Sequence, residues 1–157
     1  MATPPPVPMR SPALDAANGW LHREIVNFLE SLRRWLGRTS QELGSVAETA
    51  QGAAIATTDI PTSTLQEGLY RASYSLRITR AATTSSSAGM TFGWTTNGVS
   101  VTQTFTAVTG NTTASQTSGS ITIQVDAATP VTYAISYASV GATSMQYAFN
   151  VRLEELP

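Results

Sequence analysis

From Tyr70 to Thr79 the chain alternates without a break: Tyr70, Ala72, Tyr74, Leu76 and Ile78 are apolar, and Arg71, Ser73, Ser75, Arg77 and Thr79 stand between them. A period of two sorts side chains onto the two faces of a β-strand, and a helix cannot sort it. The segment therefore predicts a half-buried antiparallel strand. The same alternation recurs in Met90, Phe92 and Trp94; in Val99, Val101 and, skipping one position, Phe105; in Ile121, Ile123 and Val125; in Val131, Tyr133, Ile135 and Tyr137; and in Met145, Tyr147, Phe149, Val151 and Leu153. A first strand near Ala54 to Ile60 brings the expected total to about seven or eight. Turn signals separate the runs: TTSSSAG at 83–89, Asn97-Gly98, TGNTTASQTSG at 109–119, Ala128-Thr129-Pro130 and Val140-Gly141. Asn-Gly between two alternating runs is a strong hairpin signal, because a two-residue I′ turn needs positive φ at both positions. Many short strands with no helix between them predict a mainly β domain over residues 52–157, an antiparallel β-sandwich or jelly roll.

The first third obeys other rules. Residues 1–14 hold Pro4, Pro5, Pro6, Pro8 and Pro12, which fix φ and remove amide donors, so the segment reads as an extended, proline-rich arm. It is either a disordered tail or an arm that becomes ordered in a groove of a neighbouring subunit. Residues 15–37 read as an amphipathic helix, with Asp15 as N-cap and Gly37 just past the C-terminus. Leu21, Ile25, Phe28, Leu32 and Trp35 follow the 4-3-4-3 spacing of a coiled-coil seam, and Leu29 and Leu36 widen the stripe. A lone helix cannot bury so wide a stripe, which makes those five residues the candidate assembly interface. Arg33, Arg34 and Arg38 suit the helix dipole or an acidic partner. Residues 38–51 are small and polar around Gly44 and read as a linker that could carry a short helix, with the domain boundary near Gly52.

Composition removes most chemistry. There is no cysteine, so disulfides, thiolate zinc sites and cysteine nucleophiles are excluded. A net charge of -1 supplies no field to hold a polyanion, so no nucleic-acid partner is expected. No apolar run approaches the roughly 20 residues that cross a bilayer, and MATPPPVPMRSP lacks the basic-then-apolar order of a signal peptide, so no membrane association is expected and the chain reads as soluble and unprocessed. Charged residues are 12% of the chain, against roughly 25% in an average soluble protein, while Ser and Thr supply about a quarter of the positions. All the basic residues are arginine.

His22, the only histidine, flanks the helical stripe and reads as surface or interface. No G-x-S-x-G elbow, glycine-rich phosphate loop or calcium loop occurs, and the acids of the β region form no glycosidase-like pair. Glu154-Glu155 reads as solvated surface, and Asn111-Thr112-Thr113 matches a glycosylation sequon by pattern alone. The strand tyrosines share the apolar parity and read as core, as does Trp94, so no aromatic platform for a sugar is expected. No catalytic residue, metal or cofactor is expected.

The β segment resembles the C1q/TNF-like jelly-roll modules of phage and prophage virion proteins. The resemblance is carried by GLYRASYSLRITRAATTSSS opening at Gly68-Leu69-Tyr70-Arg71, by MTFGWTTNGVSVTQTF and SITIQVDAATPVTYAISYAS, and by MQYAFNVRLEEL, roughly residues 55–156. It implies a homotrimer closed around a three-fold axis, and a place in a fibre, head decoration or neck appendage. The expected function is thus that of a non-enzymatic bacteriophage virion protein, anchored to capsid, neck or tail by its arm and helix. The alternative is a receptor-binding module of a tail that holds a host-surface glycan. The loops, rich in Ser, Thr, Gly and Asn, favour the structural reading.

Overall fold

The computed structural model describes residues 25–32 and 40–157. The chain divides into two compact units, of which Gln41–Leu156 is the larger. In the first unit, residues 25–32 form a helix, α1, inside the helix expected over 15–37. The proline-rich arm, Leu21, Trp35, His22 and both expected helix caps lie outside the described residues.

The second unit is built from nine strands: β1 (Gln41–Gln51), β2 (Ile55–Asp59), β3 (Gly68–Arg80), β4 (Ser85–Thr96), β5 (Val99–Thr104), β6 (Val108–Thr109), β7 (Gln116–Val125), β8 (Thr132–Val140) and β9 (Gln146–Glu155). They pair antiparallel in two sheets, ordered β1-β9-β3-β7 and β2-β8-β4-β5, with β6 also on β4. β5 and β6 are two pieces of one edge line. β5 pairs with Thr91–Thr96 and β6 with Ser87–Ala88, and between them the Phe105 amide donates to the Met90 carbonyl at 2.9 Å. Apart from the break between β5 and β6, only the β4–β5 hairpin joins strands within a sheet; every other connection crosses between sheets. That is the topology of a jelly roll, as the alternation predicts.

The alternating residues account for the core. Tyr70, Ala72, Tyr74, Leu76 and Ile78 are all buried, as are Met90, Phe92, Ile123, Val125, Tyr133, Ile135, Tyr147, Phe149, Val151 and Leu153. Phe105, turned in where the edge line breaks, packs tilted against Tyr74 with ring centroids 4.9 Å apart and meets Phe92 edge-on at 6.0 Å. Such pairs add to the burial of apolar area that holds the two sheets together. Tyr137 and Trp94 are half-buried against this core rather than inside it.

Several boundaries differ from the sequence expectation. Residues 41–51, expected as linker, form the edge strand β1, and the domain starts at Gln41, not near Gly52. β1 breaks register on β9 between Glu42 and Gly44 and again between Glu48 and Gln51, with Ala50 at φ 56. Each bulge flips the parity of the residues after it, so no period of two survives to be read. β4 begins at Ser85 inside the expected turn 83–89, and β7 at Gln116 inside the expected turn 109–119. In both places, serine, threonine and glycine occupy ladder positions between stronger neighbours.

Candidate functional site

On α1 the side chains divide by face. Phe28 and Leu32, one turn apart, are half-buried, whereas Ile25 and Leu29, also one turn apart, are 44% and 53% exposed. A pair of branched aliphatic side chains stacked at i and i+4 is a row that water solvates poorly, and its burial against a partner is favourable at roughly 25 cal/mol per Å². Of the five predicted interface residues, three are therefore described, and the spacing brings them to neighbouring stripes of one helix. Leu29, outside the predicted seam, is the most exposed of the described apolar residues on α1.

The β unit has two unlike ends. Its first residue, Gln41, lies opposite Glu155, and the Leu156 amide donates to the Leu69 carbonyl at 2.9 Å, so the chain comes in and leaves at one end, the base. The loops 60–67 and 126–131 and the Asn97-Gly98 turn close the same end. There Asp126 accepts two backbone hydrogen bonds, from the Asn97 amide and the Gly98 amide, each 2.8 Å. Asn97 and Gly98 have φ of 50 and 72, the I′ geometry that Asn-Gly predicts. An open cleft of about 450 Å³ sits between the loops, lined by Asp59, Pro61, Thr64, Leu65, Thr129 and Pro130. It offers a single carboxylate and hydroxyl groups, with no second acid or base set against it to form a proton-transfer pair.

The opposite end, the tip, is made by the loops 52–54, 81–84, 110–115 and 141–145. They are tied to one another. The Ala82 amide donates to the Gly110 carbonyl at 3.1 Å, the Asn111 side-chain amide to the Thr84 carbonyl at 3.1 Å and the Thr143 amide to Thr83 Oγ1 at 3.2 Å. Arg80 Nε donates to the Ser144 carbonyl at 2.9 Å, and the Tyr147 phenol to the Ala53 carbonyl at 2.7 Å. Gly110 is required here, because a Cβ would overlap the sulfur of buried Met145 and the hydroxyl of Ser86. The loops themselves carry no charged and no aromatic side chain.

Charge follows the same axis. Glu42, Asp59, Glu67, Asp126, Glu154 and Glu155 lie in the basal half, with only Arg71 and Arg152 beside them. Arg71 forks onto Glu154, with Nε at 2.8 Å from Oε2, and Arg152 reaches Glu42 at 3.5 Å. Glu154 is thus a strand-to-strand partner and not simple solvated surface. These were the two ion pairs found among the described residues, where no group of three or more potential metal ligands occurs either. Among the described residues no helix is long and apolar enough to cross a membrane.

No family model and no curated protein sequence matches the chain. Solved structures similar to it include the Clostridium thermocellum N-terminal endo-1,4-beta-D-xylanase 10B CBM22-1–GH10 modules complexed with xylohexaose, at TM-score 0.39 and 12% identity, over 76% of this chain and 29% of that one. Eiger TNF from S. frugiperda is similar at TM-score 0.36 and 10% identity, over 76% of this chain and 94% of that one. Both scores are low, and the jelly-roll assignment rests on the strand order itself.

Proposed function

We propose that this chain is a non-enzymatic structural protein of a bacteriophage particle, a homotrimeric fibre, appendage or decoration of the C1q/TNF-like kind. Its arm and helix anchor it to capsid, neck or tail. The observation that carries the reading is the apolar row of Ile25 and Leu29, 44% and 53% exposed in a single chain. That row needs a partner, and the 4-3-4-3 spacing around it is that of helices packing on copies of themselves. The polarity of the β unit supports the same reading. Its base receives the chain from the N-terminal segment, while its tip is a hydrogen-bonded set of uncharged loops suited to standing in solvent. A glycan-binding tip would call for exposed rings or a cation, and the tip loops hold Ala, Gly, Ser, Thr, Asn and Met.

Sedimentation equilibrium of the full-length chain tests the assembly, with a trimer mass expected; a monomer at micromolar concentration overturns it. Electron microscopy of phage particles labelled with an antibody to the chain tests the location. Label on the capsid, neck or tail is expected, and particles that carry the protein's gene but bind no antibody would refute a virion role.

A further inference from the structure

The Asn97-Gly98 turn joins two properties that make such dipeptides chemically short-lived. Asn97 is exposed, and Gly98 has no Cβ, so no side chain of its own hinders attack by its backbone nitrogen. In an open chain the deprotonated Gly98 nitrogen attacks Cγ of Asn97. The new N–Cγ bond closes a succinimide, the Cγ–Nδ2 bond breaks, and Nδ2 leaves as ammonia with the proton that the backbone amide gave up to solvent. Water then opens the ring at either carbonyl, leaving aspartate or isoaspartate.

We propose that Asp126 holds this turn closed against that reaction, making residue 97 a latent modification site. Two contacts carry the inference. Asp126 Oδ2 accepts the Gly98 N–H at 2.8 Å, and Oδ1 accepts the Asn97 N–H at 2.8 Å. The first contact opposes the reaction electrostatically, since removing the Gly98 proton would create an anion against a carboxylate oxygen. The second acts through geometry: with both amides held on one carboxylate, the peptide plane cannot swing to bring Gly98 N over Cγ. The carboxylate is itself fixed. The Asp126 amide donates to the Thr95 carbonyl at 3.0 Å, and Thr129 Oγ1 donates to the Asp126 carbonyl at 2.8 Å, so the β7–β8 loop is latched to the β4–β5 turn. Ring opening at residue 97 would set a second carboxylate, or an inserted methylene, beside Asp126 and undo the latch.

The test is peptide mapping by mass spectrometry of full-length protein aged in mildly alkaline buffer, read as aspartate plus isoaspartate at position 97. Folded wild type, denaturant-unfolded wild type, Asp126→Asn and Asp126→Ala are compared, with circular dichroism confirming the fold. Conversion in folded wild type is expected to be at least about tenfold slower than in the unfolded chain, and each folded variant about tenfold faster than wild type, the factor set by losing one charge-assisted hydrogen bond. Amide exchange at Gly98 should be slow in wild type and quickened in both variants. Wild type ageing as fast folded as unfolded, or exchanging Gly98 freely, overturns the proposal. So does a folded variant that ages no faster than wild type. If neither variant folds, the exchange and wild-type comparisons still decide it.

Discussion

The phenol of Tyr147 donates a 2.7 Å hydrogen bond to the carbonyl of Ala53, so a side chain from β9, wholly buried among Tyr137 and Phe149, holds the turn that leads from β1 into β2. Tyr147→Phe keeps the ring and removes the bond, leaving the Ala53 carbonyl to find water. The expected loss is about 1 kcal/mol. Urea unfolding should show a lower midpoint at unchanged slope; an unchanged midpoint would mean that the turn is held by its other contacts.

Alkaline stability depends on the same group. Burial, reinforced by the neighbouring Tyr137 and Tyr133, pushes the Tyr147 phenol up to about 12, and burial likewise raises Tyr70, beside Glu155, and Tyr133, beside Glu48. The unfolded chain ionises these phenols near 10 while the folded chain keeps them neutral. The stability they contribute is complete below about pH 10 and falls away as pH rises towards about 12. Unfolding followed by circular dichroism should coincide with ionisation of these three phenols, followed by NMR of their rings. Their ionisation near pH 10 with the fold intact would contradict the burial assigned to them.

Gly110 offers a test of packing in a loop. Its Cβ position is occupied by Met145 and Ser86, so Gly110→Ala should cost about 1–3 kcal/mol, as overpacked positions do. A loss under about half a kcal/mol in chemical denaturation would show that the tip yields.

The helix prediction has the most bearing on assembly. Ile25→Asp combined with Leu32→Asp should lower the oligomer mass and leave the β-sheet signal intact, because each carboxylate would have to be desolvated in a closed interface. Normal mass together with normal incorporation into particles would leave the β unit as the assembling element.

Removal of residues 1–40 should leave a cooperatively folded sandwich, since the β unit begins at Gln41. Removal of residues 1–51 should not be equivalent. It strips β1 from β9 and opens the edge that pairs with Val46 and Gly44, so aggregation and a lower melting temperature are expected. Equal stability of the two truncations would show that β1 is dispensable.

The strands that carry clean alternation were legible in the sequence because one face of each is buried on a single core, and Asn97-Gly98 was legible because so few dipeptides accept two positive φ values. β1 was not, since its two bulges erase the period and its partners on β9 lie about a hundred residues away. Sequence separation likewise hides the ion pair of Arg71 with Glu154, 83 residues apart, and the grip of Asp126 on Gly98, 28 residues apart. Nothing local distinguishes those carboxylates from solvated ones. On the helix the seam spacing pointed to Ile25, and Leu29 entered only through the adjacent row that widens the stripe.

The pairing of Gln41 with Glu155 also fixes how the protein would bear a load. β1 runs from base towards tip, so a pull between an anchored N-terminal segment and a tip held elsewhere acts along the strand. The ladder bonds lie across that direction, and the rungs from Gln41–Glu155 to Gln51–Tyr147 are strained together in shear, not peeled one by one. Had the chain come in at the tip, the same hydrogen bonds would open like a zip.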